Sequence, residues 1–219
     1  DLTKLVNNTN IYSHSTRIYS KIMKKKPIQQ RSQHMVDKLL NATSQAITLY
    51  GIQGLTTGKV ADLAEVSIGS LYQYFANKEE LLSALIDHNT QLIIHDLRQI
   101  LLNHPHTDLE QLLRLAIAHG FTLFKQDDRV CFEIVKNWLT LPVNQAVDVI
   151  YEAGTQLALS FFLQRAKDYP LENLHTKGFI IINSVLFSMI RYMNSDNTLI
   201  SEQDMIDGLT TMVMNYIQS

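Results

Sequence analysis

Apolar residues recur along most of the chain at the spacing of an amphipathic helix. Val36, Leu40, Thr43, Ile47 and Tyr50 share one stripe, Leu39, Ala42 and Ala46 widen it, and Gly51 stands where a helix end favours glycine. A first helix from Ser32 to Tyr50 follows. Gly54-Leu55-Thr56-Thr57 predicts a turn closed by a threonine cap, and Val60, Ala61, Leu63 and Ala64 then line a short second helix, Thr57–Ala64. A break at Glu65-Val66 leaves Ser67 to cap a third, Ser67–Tyr74. Asn77 caps again, with Glu79 and Glu80 in the first turn where the helix dipole favours acids.

Downstream the period stays helical and nothing alternates as a strand would. A long amphipathic helix runs from Leu81 to Leu102 and stops before Pro105. Thr107-Asp-Leu-Glu110 has the capping-box pattern for a helix to Lys125. Further helices are expected over Asp128–Leu139, from Pro142 to Tyr169, over Asn173–Met193, and over Glu202–Gln218 with Ser201 and Asp204 as start signals. The chain is therefore predicted to be all-α, with about nine helices.

The last two helices carry unusual apolar faces. Met205, Ile206, Leu209, Met212, Val213, Tyr216 and Ile217 form a strict stripe, while Phe179–Ile182, Val185–Phe187 and Met189–Ile190 make the preceding helix apolar nearly all round. Such a helix is buried on two sides. The second cover is either the rest of the monomer core or a second copy of the chain in a symmetric four-helix interface. For the latter the contact residues are Ile182, Leu186, Met189, Ile190, Leu209, Met212, Val213 and Tyr216.

Composition narrows the class. With 219 residues and 46% apolar content the chain can build a real core. The longest apolar run, Phe179 to Met193, is interrupted by Asn183, Ser184, Ser188 and Arg191 and is too short to span a bilayer, so no membrane segment is expected. No secretory signal is visible. Cys131 is the only cysteine, which excludes an internal disulfide and suits a reducing cytoplasm.

The net charge of −2 hides an asymmetry. Residues 1–30 hold six Lys/Arg against one acid, residues 31–80 four against five, and residues 81–219 nine against fifteen. A polyanionic partner would therefore meet the N-terminal third. Residues 1–30 are polar, end in Lys24-Lys-Lys-Pro27 and have no sustained period, which predicts a disordered leader or a basic arm that follows a nucleic-acid backbone.

Two short helices joined by a tight turn have the size of a helix-turn-helix, whose second helix enters the major groove of double-stranded DNA. Its first turn must be slim, and Ser67, Gly69 and Ser70 are. Gln73 can read a base edge, Leu71 and Phe75 can anchor the helix inward, and Tyr72 and Tyr74 combine an apolar ring with a hydroxyl that reaches phosphate. Thr57 and Lys78 stand at helix starts, where free backbone N–H groups favour phosphate.

The order of these residues is more specific than any one of them. Leu39-Leu-x-Ala42, Tyr50-Gly51-x-x-Gly54-Leu-Thr-Thr57, Val60-Ala61-x-x-Ala64-x-Val66-Ser67-x-Gly69-Ser-Leu-Tyr72-x-Tyr74-Phe75 and Asn77-Lys78-Glu-x-Leu81 together resemble the N-terminal domain of the TetR family of transcriptional regulators. The resemblance covers about a quarter of the chain. It implies a helix-turn-helix domain at 31–80 and a helical effector-binding and dimerisation domain at 81–219. It further implies a homodimer on a palindromic operator, repressing transcription and releasing DNA when a small molecule enters the second domain. By position, Thr57, Ser70, Tyr72 and Lys78 would hold phosphates and Ile68, Gly69 and Gln73 would face bases, with Gly58, Lys59, Ser67 and Tyr74 completing the surface. Gly58 and Ile68 depart from the longer or more polar side chains frequent in relatives, so readout is expected to lean on thymine methyl groups and close backbone approach.

For the effector, an apolar or aromatic small molecule, the candidate lining is Phe121, Trp138, Phe161, Phe162, Arg165, Asn183 and Phe187, most of it otherwise ordinary core. No Gly-rich phosphate loop, HExxH, CxxC or nucleophile elbow is present, so neither an enzyme nor a metal or cofactor is expected. His104-Pro-His106 reads as a solvated loop, and His88 and His95 as surface groups beside Asp87 and Asp96. The competing reading is an all-helical carrier or enzyme that retains a helix-turn-helix head, which would place a polar catalytic cluster within residues 81–219.

Overall fold

The computed structural model describes residues 30–126, 130–137, 141, 148–149, 151–156, 173–195 and 199–219. The N-terminal extension and most of the stretch from Pro142 to Tyr169 lie outside them, although 148–149 and 151–156 are helical. Besides these, eight helices have described bounds, and none of the described residues is in a strand. They are α1 (Gln30–Tyr50), α2 (Thr57–Leu63), α3 (Ile68–Tyr72), α4 (Lys78–Asn103), α5 (Leu109–Lys125), α6 (Val130–Lys136), α7 (Leu174–Met193) and α8 (Glu202–Gln218). The described residues group into two compact units, one up to Gln91 with those of Lys125–Ala146, the other Leu92–Phe124 with those of Val147–Ser219.

In the first unit α1 packs on α2 and α6, and α2 on α3. The predicted stripe of α1 is buried as far as Ile47, while Tyr50 at its end is exposed: Val36, Leu39, Leu40 and Ile47 meet Val60, Ala61, Leu71, Phe75, Leu81, Val130 and Ile134 in one core. Each such aliphatic or aromatic side chain contributes about 1.5–3 kcal/mol on leaving water. Thr43 is buried with them because its hydroxyl donates to the Leu39 carbonyl at 2.7 Å, leaving no unpaired polar atom.

The punctuation is local chemistry. Gly51 takes φ +68 just past α1, where a side chain would be strained. At Gly54 a Cβ would collide with the Tyr50 carbonyl, so that turn admits only glycine. Glu65 holds φ 48 between α2 and α3 although it is not glycine. The turn is fixed from both sides, by the buried Ala61 and Ala64 and by the Val66 N–H bonding back to the Ala61 carbonyl at 3.0 Å.

In the second unit Leu101, Leu109, Leu112, Val213 and Ile217 form the core, and α7 packs on α8. Ser201 and Asp204 make the predicted capping box, and the Ser201 hydroxyl and amide hold the Asp204 carboxyl below its usual range. The start of α5 differs from the expected one. Asp108, not Thr107, accepts the Gln111 N–H at 2.8 Å, so the cap stands three residues before that open N–H, the spacing at which a capping side chain reaches it. Asp96 differs too: it pairs with His119 of α5 at 3.0 Å instead of standing beside His95 at the surface.

The apolar circumference of α7 is partly uncovered within one chain. Phe179, Ile180 and Phe187 are exposed by 60%, 42% and 41%, so the monomer core does not cover that side. Met189, Leu209 and Val213 are buried within the single chain, whereas Met212 is exposed. Ile182, Leu186, Ile190 and Tyr216 are half-buried.

Burial pushes the Asp87 carboxyl on α4 up to about 6 from 3.8. The folded state therefore holds this proton more tightly than the unfolded chain does. Its stabilising effect is complete below about pH 3.8 and disappears as pH rises through about 6. Replacing Asp87 with asparagine should raise the denaturation midpoint at pH 7.5 and flatten the pH dependence between those values, as read by urea melts at a series of pH values.

Candidate nucleic-acid interface

The helix-turn-helix is assembled from caps that leave its outer groups available. Thr56 caps α2 by accepting the Lys59 N–H at 3.3 Å. This spares the Thr57 hydroxyl, which lies 3.2 Å from the Tyr72 hydroxyl across the motif. Ser67 caps α3 by accepting the Ser70 N–H at 3.1 Å, and the two serine hydroxyls are 2.8 Å apart. At the start of α4 the Asn77 side chain accepts the Glu80 N–H at 2.8 Å while Glu80 accepts the Ala76 N–H at 2.7 Å. Lys78 is left exposed beside that reciprocal cap.

Burial sorts the faces of α3. Leu71 and Phe75 are wholly inside, and Tyr74 packs its ring on the same core, so Tyr74 is an anchor more than an outward group. Ile68 and Tyr72 are exposed by 43% and 45%, and Gly69 and Gln73 are exposed as well. A Cβ at Gly58 would meet nothing within 4 Å, and at Gly69 only the Ser67 hydroxyl at 3.8 Å. The fold itself leaves room for a side chain at either place.

Lys59 is placed otherwise than the sequence suggested. Its ammonium donates to the Gly54 carbonyl at 2.8 Å and stands 4.1 Å from the centre of the Tyr50 ring. Sequence reasoning could not reach this, nor the Thr57–Tyr72 pair, because a long side chain's direction depends on what the turn presents to it.

The effector candidates are only partly brought together. Phe121 is buried, edge-on to Tyr192 with ring centres 5.7 Å apart. Asn183 spends its amide on the Phe179 carbonyl of its own helix at 2.7 Å. Trp138, Phe161, Phe162 and Arg165 lie outside the described residues. Among the described residues no cluster of His, Cys, Asp and Glu could hold a metal ion, and no helix is long and apolar enough to cross a membrane. His104 bonds the Ile100 carbonyl at 2.8 Å and so closes the end of α4.

Residues 39–85, which span this motif from α1 into α4, match the family model for bacterial regulatory proteins of the tetR family. These residues form a DNA-binding head of the TetR type. Among the described residues the fold is all-α, and it is similar to a structure from Mesorhizobium loti described as TetR-family, with a TM-score of 0.64 and 14% identity over 86% of this chain and 97% of its own. The chain is 29% identical over 177 residues to the HTH-type transcriptional activator FasR of Mycolicibacterium smegmatis, covering 78% of this chain and 77% of that one. The fatty acid degradation regulator FadR from Bacillus halodurans has the same fold, with a TM-score of 0.66 and 17% identity over 81% of this chain and 93% of its own. FadR from Bacillus subtilis, solved with stearoyl-CoA, superposes with a TM-score of 0.61 and 18% identity over 84% of this chain and 97% of its own.

Proposed function

We propose that this chain is a TetR-family transcriptional regulator that binds a palindromic operator as a homodimer, represses transcription there, and is released by an apolar or aromatic small molecule held by its effector domain, residues 81–219. Thr57, Ser70, Tyr72 and Lys78 hold phosphates. Gly58, Ile68, Gly69 and Gln73 face bases beside the capping Ser67. The observation that carries the DNA half is the open outer face of the motif, with Gly58 on α2 and Gly69 on α3 required by no neighbour and a hydroxyl pair already formed between Thr57 and Tyr72.

The homodimer rests on exposed apolar side chains of α7 and α8, Phe179, Ile180 and Met212. Ligand release works through α4, whose 26 residues give a rod of about 39 Å at 1.5 Å per residue. Tilting it alters the spacing of the two recognition helices, which must match one DNA turn of about 34 Å. A ligand that prefers the tilted state lowers DNA affinity by that preference. A long acyl chain is the first effector class to try, given the stearoyl-CoA held by FadR from Bacillus subtilis.

A gel shift with the duplex upstream of the protein's own gene tests this. The wild type should shift it, stearoyl-CoA should reverse the shift, and Tyr72→Phe or Lys78→Ala should each weaken binding about tenfold, the loss of one phosphate contact of 1–2 kcal/mol. Binding that ignores both substitutions would refute the assignment. Activation is the second reading, favoured by the name of FasR. Deleting the gene separates the two, since target expression rises if the protein represses and falls if it activates.

A further inference from the structure

The first turn of α2 is tied to the end of α1 by one side chain. Lys59 lies two residues after Thr57, and its ammonium bridges the Gly54 carbonyl, at 2.8 Å, and the face of Tyr50, 4.1 Å from the ring centre. The carbonyl it uses is presented by the turn that only glycine can make, so its direction is set by the backbone. An ammonium over an aromatic face is attracted by the ring quadrupole, and a charged donor makes a stronger bond to a carbonyl than a neutral one. The half-buried Lys59 side chain is thus committed within the protein while the Thr57 hydroxyl, 3.2 Å from that of Tyr72, points to the outer face.

From this geometry we infer that Lys59 is a positioning residue for operator recognition, which sets Thr57 against Tyr72 by clasping Tyr50 and Gly54, and is not itself a phosphate contact. The inference rests on the DNA-binding reading given above and changes the role of one residue within it. A lysine on phosphate displaces a counterion and adds to the salt dependence of binding, whereas a lysine that orients a hydroxyl does not. Arginine can stack on the ring and donate to the carbonyl in its place; methionine fills the space without the charge.

The test is operator affinity of the full chain measured from about 50 to 200 mM salt, where each lost phosphate contact lowers the log–log slope by about 0.9. Lys59→Met is expected to weaken binding about tenfold with the slope unchanged, Lys59→Arg to restore most of the affinity, and Tyr50→Leu to match the methionine variant. The Lys59→Met and Tyr50→Leu double variant should lose no more than either single one. In a Thr57→Val background Lys59→Met should change affinity little, an outcome that a general loss of stability would not produce. Lys78→Ala serves as the phosphate-contact control and should lower the slope. If Lys59→Met lowers the slope as Lys78→Ala does, or is additive with Tyr50→Leu, the inference is overturned while the DNA-binding reading stands. A wild-type chain that binds no duplex overturns both.

Discussion

Phe75→Ala will cost the DNA-binding unit about 3–5 kcal/mol and abolish operator binding at 37 °C. The ring is wholly buried and packs in the core that joins α1, α2 and α4, and its N–H bonds back to the Leu71 carbonyl at 3.0 Å. Removing it deletes apolar contact and leaves a cavity at the point where α3 hands over to α4. Other members of the same core, Leu39, Leu71 and Leu81 on helices and Leu55 in the turn before α2, are pinned elsewhere and can close that space only in part. Since whole domains are stable by only about 5–15 kcal/mol, and small cores sit at the lower end, the loss is comparable to everything the unit has. Urea denaturation followed by circular dichroism should show a large drop in midpoint. Leu49→Ala, at a side chain 60% exposed on α1, should stay within about 0.5 kcal/mol of wild type and is the control. A Phe75→Ala protein as stable as the control would refute this account of what holds the recognition helix.

Local signals were legible. The period of 3.6 in α1 named Val36, Leu39, Leu40 and Ile47, all of which are buried, and Gly51, Ser67, Asn77 and Ser201 end or begin helices where the sequence placed them. The helix-turn-helix was readable for the same reason. Its parts lie within a few turns of one another, so residue order encodes their geometry. What escaped depends on contacts between distant segments. The pairing of Asp96 with His119 joins residues 23 apart, and nothing in either neighbourhood announces it. Glu65 adopts a conformation that favours glycine because packing on both sides over-determines the turn. The direction of the Lys59 side chain follows from a carbonyl that only the folded turn exposes. In α7 and α8 the stripes were visible, but which half of each faces the chain's own core was not: Leu209 and Val213 turned inward and Met212 outward.

Deleting residues 1–30 will flatten the salt dependence of operator binding more than any single substitution in the helix-turn-helix. Residues 31–80 carry four basic and five acidic side chains, a poor balance for holding a polyanion. The preceding residues 1–30 carry six basic against one acidic, with Lys21, Lys24, Lys25 and Lys26 crowded next to the start of α1. If those four each neutralise one phosphate, the log–log slope falls by roughly 3.6 per chain on their removal, and affinity at low salt drops by about 10²-fold or more. Phosphate contacts of this kind do not discriminate sequence, so the truncated protein should bind operator and random duplexes more weakly in similar proportion. Gly69 and Gln73, exposed on the helix-turn-helix and proposed to face bases, are untouched by the deletion, and the ratio of the two affinities should stay near its original value. Substituting glutamine for Lys24, Lys25 and Lys26 in the full-length chain should reproduce most of the change without altering length. A slope that survives the deletion would mean that the helix-turn-helix draws its attraction for DNA from elsewhere in the chain, and the electrostatic role given to the N-terminal segment would have to be abandoned.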